Sequence, residues 1–160
     1  MYTSYLPSPV GMLQLQCNDT GITSVRFWDS EFHHSEQHPL LIDCQLQLQE
    51  YFAGERRTFS LPLHLNGTLF QTRVWAALQD IPYGRTISYM DLSKTLGDIK
   101  AIRAVGTANG RNMIAIIIPC HRVIGSNAKL TGYAGGLWRK QWLLEHEAKF
   151  HRGLQTLPFT

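Results

Sequence analysis

Short segments of alternating apolar and polar residues open the chain. Tyr2 to Leu6, Met12 to Cys17 and Ile22 to Trp28 follow this pattern, which is the period of a strand with one buried face. The links between them, PSPVG and NDTG, hold the Pro, Gly, Asn and Asp residues that tight turns require. Together they predict an antiparallel meander. From Leu40 the period lengthens, and Leu41, Cys44, Leu48, Tyr51 and Phe52 recur at helical spacing with Gly54 as a stop, so a helix covers one face of the sheet. Pro62 in FSLPLHL has no amide proton for a ladder, which leaves an edge strand or an extended linker. NGT at Asn66 to Thr68 then marks a boundary between domains 1–67 and 68–160.

The second half is mostly helical. Thr68 is a natural N-cap for LFQTRVWAALQDI, where Phe70, Val74, Ala77, Leu78 and Ile81 share a face, and PYG ends the helix. Two short helical patterns follow, Tyr89 to Leu96 and Ala101 to Asn109, joined by GDIK. That spacing predicts a helix-turn-helix, a shape that presents its second helix to DNA. The apolar run IIIP reads as a buried strand ending on Cys120, and LWRKQWLLEHEAKF reads as a last helix. The expected fold class is α/β (α+β): a small N-terminal antiparallel sheet with a helix, then a mostly helical C-terminal domain.

Composition narrows the setting. A chain of 160 residues, 44% of them hydrophobic, can bury a real core. No apolar stretch approaches the ~18 to 20 residues of a membrane span, and MYTSYLPSPVG has no basic and long apolar regions of a signal peptide; a cytoplasmic protein is expected. Cys17, Cys44 and Cys120 lack CxxC spacing, so free thiols are expected and no thiolate-rich metal site. HHSEQH, with His33, His34 and His38, is read as a solvated connection with no ligand role. No cofactor-binding glycine motif is present, and no cofactor is expected.

The net charge of +3 conceals an asymmetry. Residues 1–69 carry three basic against seven acidic groups, a balance of −4, while residues 70–160 carry twelve against five, +7. A basic half suits a polyanionic partner. The second helix of the pair, AIRAVGTANG, is built of small residues (Ala101, Ala104, Gly106) around one long cation, Arg103. It lacks the Asn, Gln and Arg row that reads base edges in the major groove, and small residues instead allow close approach in the narrow minor groove.

Chemistry concentrates at PCHRVIG. An ordinary thiol is mostly protonated at neutral pH, so a nucleophilic Cys120 needs a base or a positive field. His121 is adjacent, its ring turned from the sulfur by the chain so that a bridging water carries the proton, and Glu147 on the last helix orients the imidazole. A Cys-His-acid set by itself also fits a thiol hydrolase, and the helix pair by itself a transcription regulator.

Taken in order, ISY, KAIRAVGTANGRN, PCHRVIG, TGYAGG and RKQWLLEHE resemble the O6-alkylguanine-DNA alkyltransferases, or methylated-DNA-protein-cysteine methyltransferases, over about Phe70 to Glu147. YFAG and the N-terminal half resemble their short bacterial members more loosely. The resemblance implies a stoichiometric, single-turnover enzyme, a monomer that binds duplex DNA in the minor groove and flips the damaged nucleotide. Cys120 would take the alkyl group from guanine O6, with thymine O4 a further candidate. It implies His121 and Glu147 as the relay, and Asn112 as a brace between DNA helix and active-site strand. Tyr89 would turn the nucleotide at its 3′ phosphate and donate its hydroxyl to the base, and Arg103 would fill the vacated stack. Val123, Tyr133 and Ala134 would line the lesion pocket. Alkyltransferase-like proteins that flag lesions without repair lack the cysteine that Cys120 matches. NMIAI, with Met113 and Ala115, departs from the family's proline-rich NPxPI, so preferences for bulky O6 groups do not carry over.

Overall fold

The meander of alternating residues folds as the pattern requires. In the computed structural model, which describes residues 1–31, 34–125 and 132–156 with side chains to Arg152, β1 (Tyr2–Ser8), β2 (Gly11–Cys17) and β3 (Ile22–Phe27) form an antiparallel sheet in that order. Its register sets Leu6 opposite Leu13 and Leu15 opposite Val25, so the buried side chains fall on common rows. Helix α1 (Pro39–Phe52) packs on the sheet through Leu41, Cys44, Leu48 and Tyr51. His33 of the HHSEQH segment lies outside the described residues.

Two short segments cover the outer edge of β3, and each pairs in parallel with it. Ile22 bridges Leu63, the stretch limited by Pro62, and Val25 bridges Ile114. An edge protected in this way cannot template another chain. The chain divides into two compact units, Met1–Asn66 with Met113–Ile117, and Gly67–Asn112 with Ile118–Thr160.

The second unit begins on helix α2 (Leu69–Gln79). Thr68 accepts from the Gln71 amide while the Gln71 side chain accepts from the Thr68 amide, a capping box that fixes the start. Val74, Trp75 and Leu78 are buried, and the Trp75 indole donates to the Ala108 carbonyl at 2.8 Å. Strand β4 (Ile87–Ser88) pairs in parallel with β5 (Val123–Ile124). Ser88 ends β4 and also caps α3 (Tyr89–Thr95) with Asp91 in a second capping box, which places Tyr89 at the first helical position. A 3-10 turn, Ile99–Ala101, leads into α4 (Ile102–Gly110). Burial of Leu92 and Val105 holds this pair in place, at about 1.5–3 kcal/mol for each side chain before entropy. Helix α5 (Leu137–Thr156) closes the fold, and Lys140, Leu143 and Glu147 share its buried face. Among the described residues no helix is long and apolar enough to cross a membrane.

Candidate active site

The segment that leads to Cys120 is not the strand that its isoleucines predict. Met113 to Ala115 pair with β3: the Val25 amide donates to the Met113 carbonyl and the Ala115 amide to the Val25 carbonyl. The ladder then stops. Ile117 donates to the Ala115 carbonyl at 2.8 Å across Ile116, whose φ is 72°, a left-handed γ-turn that is rare for any side chain and more so for a β-branched one. Cys120 donates to the Ile118 carbonyl at 2.8 Å across Pro119, at φ −82° and ψ 62°, an inverse γ-turn. Pro119 has no amide proton to extend a ladder. Cys120 therefore opens a single 3-10 turn, Cys120–Arg122, and no strand carries it.

That turn separates the Cys120 side chain from those of His121 and Arg122, since successive residues of a 3-10 helix leave its axis about a third of a turn apart. All three are buried. Cys120 meets Asn112, which follows the end of α4: the Asn112 amide donates to the Ile118 carbonyl at 2.8 Å and to the Cys120 sulfur at 3.2 Å. One side chain thus pins both the backbone before the cysteine and the thiol. His121 and Arg122 turn toward Glu147. His121 Nε2 donates to Glu147 Oε2 at 2.7 Å, while Arg122 donates from Nε to Oε1 at 2.8 Å and from Nη2 to Oε2 at 3.0 Å. Arg122 Nη1 also donates to the Ile81 carbonyl at 2.7 Å, and its guanidinium lies 5.7 Å from the Tyr83 ring centre. The Gly84 amide reaches Glu147 Oε1 at 3.4 Å. Gly84 has φ 77°, and a Cβ there would lie 2.8 Å from the His151 ring, so both conformation and space require glycine.

The electrostatics follow from burial and these partners. Burial pushes the Cys120 thiol up, against the Asn112 hydrogen bond and the Lys140 charge, which pull it down. The resting sulfur is therefore a neutral thiol that needs a base. Burial pulls His121 down, only partly offset by Glu147, so the imidazole is neutral. Its Nε2 proton is committed to the carboxylate, and Nδ1 is buried with no partner among the described residues, which leaves that lone pair to accept a proton. Burial raises Glu147, but His121 and Arg122 outweigh it and hold the carboxyl well below the usual carboxylate range. Tyr133, its hydroxyl buried, is raised by burial and by the charges of Cys120 and Glu147 and stays a neutral hydroxyl. Lys140, fully buried on α5, is lowered by burial.

Of the residues picked from the sequence, the structure brings Asn112, Cys120, His121 and Glu147 into one cluster. Val123 is buried immediately after it on β5, and Ala134 is exposed in a turn after Tyr133; Thr131 of the TGYAGG segment lies outside the described residues. Tyr89, Ala101, Arg103, Ala104 and Gly106 lie on the α3–α4 pair, with Arg103 and Ala104 exposed. A Cβ on Gly106 would lie 3.9 Å from the Tyr89 ring. Among the described residues neither the Tyr89 hydroxyl nor the Arg103 guanidinium bonds to the cysteine cluster. Sequence reasoning missed Arg122, Lys140 and the PYG turn as parts of the site. The signals were present, Arg122 inside PCHR and Lys140 seven residues before Glu147, two turns back on one helix face.

Residues 69–149 match the family described as 6-O-methylguanine DNA methyltransferase, DNA binding domain, and residues 1–65 match its ribonuclease-like domain. The chain is 47% identical over 155 residues to a methylated-DNA–protein-cysteine methyltransferase of Mycolicibacterium paratuberculosis, covering 94% of each. It is 46% identical over 153 residues to that of Methanosarcina acetivorans, covering 92% of this chain and 98% of the relative. In structure it is similar to Mycobacterium tuberculosis OGT in complex with DNA, with a TM-score of 0.86, 45% identity and 94% of each chain covered. With both halves matched and the sulfur held by Asn112 on the same short turn that carries His121, the chain belongs to the 6-O-methylguanine DNA methyltransferases, the methylated-DNA–protein-cysteine methyltransferase family.

Proposed function

We propose that Cys120 is the residue that receives the alkyl group, in a DNA repair reaction that transfers it from guanine O6 to the protein, with thymine O4 a further candidate substrate. The observation that carries this reading is the single buried cluster in which Asn112 holds the sulfur and a carboxylate-bound histidine keeps a free Nδ1. The thiol proton passes through a water to His121 Nδ1, and Glu147 stabilises the imidazolium that forms. Sulfur then attacks the alkyl carbon in line with the C–O6 bond, which breaks with its electron pair left on the base. The guanine anion takes a proton, for which the Tyr89 hydroxyl is the assigned donor, and the imidazolium proton returns through solvent to the Tyr89 phenolate, so that His121 and Tyr89 both end neutral. The product is guanine and an S-alkylcysteine. Backbone carbonyls near Cys120 and Val123 read the exocyclic amine, the Ala134 amide faces O6, and Tyr133 closes the pocket.

DNA is the partner, approached by domain 68–160 through α3 and α4, with the N-terminal domain as residues 1–67. A base inside the duplex hides O6, so it must be extruded at a cost of a few kcal/mol, roughly, and the gap filled. Arg103, exposed between small residues on α4, is long enough to fill it. The exposed face of α4 around Ala104 supports close approach in the minor groove. The protein acts as a monomer in the cytoplasm and uses no cofactor. The test is incubation with a duplex that holds one O6-methylguanine, followed by intact-mass and peptide analysis. The expected product gains one methylene unit in mass at Cys120. No gain, or a gain at Cys17 or Cys44, overturns the assignment.

A further inference from the structure

We infer that Arg122 is a positioning residue of the transfer reaction: its guanidinium forks both oxygens of Glu147 and holds that carboxylate as the fixed anion on which His121 acts. This rests on the proposed role of Cys120 and goes beyond it, because Arg122 bonds to Glu147 and to the Ile81 carbonyl and acts on His121 through Glu147.

Three features make the fork more than a buried ion pair. First, it is complete. Nε and Nη2 take one carboxylate oxygen each, Nη1 takes the Ile81 carbonyl, and the Tyr83 ring lies against the guanidinium. A planar group tied at three nitrogens cannot swing, and a carboxylate held at both oxygens cannot rotate away from the imidazole. Second, Arg122 and His121 are neighbours on one 3-10 turn, so the same short backbone segment sets the position of the base and of the cation that steers its carboxylate. Third, Ile81 to Gly84 supply a carbonyl to Arg122 and an amide to Glu147, which makes the PYG turn a bracket around the ion pair.

The consequence is chemical. When His121 Nδ1 accepts the thiol proton, the ring becomes a cation that needs Glu147 as an anion at Oε2. Arg122 satisfies Oε1 and shares Oε2, so the carboxylate keeps its charge and orientation while the proton on Nε2 stays with the ring. The charged or titratable groups that act on Glu147 are His121 and Arg122 from the turn and Tyr133 before α5; Tyr83 of the PYG bracket lies against the Arg122 guanidinium, His151 of α5 lies beside Gly84, and Lys140 acts on His121. Of these, only Arg122 is a permanent cation bonded to both carboxylate oxygens. Without it, burial at Glu147 would be opposed by His121 alone, and a neighbouring cation would no longer repel a proton from His121. Both changes leave the pair holding an extra proton at a pH where the wild-type pair is free, and a protonated relay cannot accept the thiol proton.

The experiment is the single-turnover rate of transfer from an O6-methylguanine duplex to the full chain across pH, for wild type, Arg122→Gln and Arg122→Lys, with melting temperature and duplex binding measured in parallel. For Arg122→Gln the acid limb of the rate profile should move up by about one pH unit or more. Arg122→Lys keeps the charge and loses the fork, so its limb should stay near wild type while its plateau rate falls. A purely structural arginine would lower the rate by one factor at every pH; that result, an unmoved limb in Arg122→Gln, overturns the inference. Should Arg122→Gln not fold, Arg122→Lys decides: a plateau lowered while melting temperature and duplex binding stay at wild-type values supports the fork, and a plateau that is unchanged or falls together with the melting temperature overturns it. Wild-type chain that transfers nothing sinks the assignment of Cys120, whereas normal wild-type transfer with an unmoved limb sinks only the role of Arg122.

Discussion

Replacing Glu147 by glutamine keeps the shape of the side chain and removes its charge, which is the sharpest way to ask whether the cluster behind Cys120 is dry. The carboxylate is 1% exposed and the Arg122 side chain 7%. In Glu147→Gln the guanidinium keeps the Ile81 carbonyl but loses its counter-charge, and a carboxamide can offer an oxygen to only one of its two former partners. Breaking a buried pair in this way costs about 3–5 kcal/mol, a large part of the roughly 5–15 kcal/mol that stabilises a chain of ordinary size. At about 2–4 °C per kcal/mol for a chain of this length, the melting temperature should fall by about 6–20 °C. The assay is thermal and urea unfolding at neutral pH, with the double variant Glu147→Gln/Arg122→Met as control. Removing both charges should recover much of the loss in stability while transfer stays impaired, because His121 still lacks its anion. The pH dependence has a definite sign. The folded Glu147 sits far below the unfolded value of ~4.3, so its contribution is present above that value and is lost as pH falls beneath it. The gap between wild type and Glu147→Gln should therefore close on acidification. A loss under about 1 kcal/mol at neutral pH, the range of exposed pairs, or a double variant no more stable than the single one, would refute the buried-pair reasoning.

Cys120→Ser should abolish transfer and leave duplex affinity nearly intact, because phosphate contacts from the basic helices supply binding; retained transfer in a mass assay would remove Cys120 as the nucleophile. Arg103→Ala should slow repair of duplex more than reaction with free alkylguanine base, since only the duplex has a gap to fill, and equal slowing would make Arg103 a pocket or structural residue. With lesion in excess, guanine released should plateau at one equivalent per active protein, because a thioether is a poor leaving group; the alkylated form should melt lower, as overpacking a filled site costs about 1–3 kcal/mol. Continued turnover would refute the stoichiometric reaction, while an unchanged melting temperature would refute only the packing argument.

Where sequence and structure agree, local chemistry and global packing ask for the same thing. The meander, α1 and the helix pair were legible because alternation, helical spacing and caps such as Thr68 and Ser88 each specify an element without help from elsewhere. Cys120, His121 and Glu147 were legible as chemistry, since a thiol needs a base and a base needs an orienter. Trp75 was not, because its indole is decided by a partner 33 positions away, the Ala108 carbonyl. Arg122 and Lys140 were hidden for a related reason: a cation in a sequence is by default a surface residue, and only the fold shows which carboxylate or thiol lies opposite.

Ile114 to Ile118 mislead in a more instructive way. Isoleucine favours strands because its branched side chain suits a pleated, half-buried surface, and the run is indeed buried. Yet a strand would keep pairing, and the chain needs the opposite after Ala115: it must leave the β3 edge and hand Cys120 to the turn that Asn112 holds. Ile116 meets that need with a φ of 72°, a conformation that costs of order 1–3 kcal/mol for such a residue. Burial of its side chain at 1% exposure offsets that cost at about 1.5–3 kcal/mol, and the amide of Ile117 is still satisfied by the Ala115 carbonyl. Hydrophobicity is thus used here to hold a strained turn in place, and the sulfur itself is held by one asparagine rather than by a ladder.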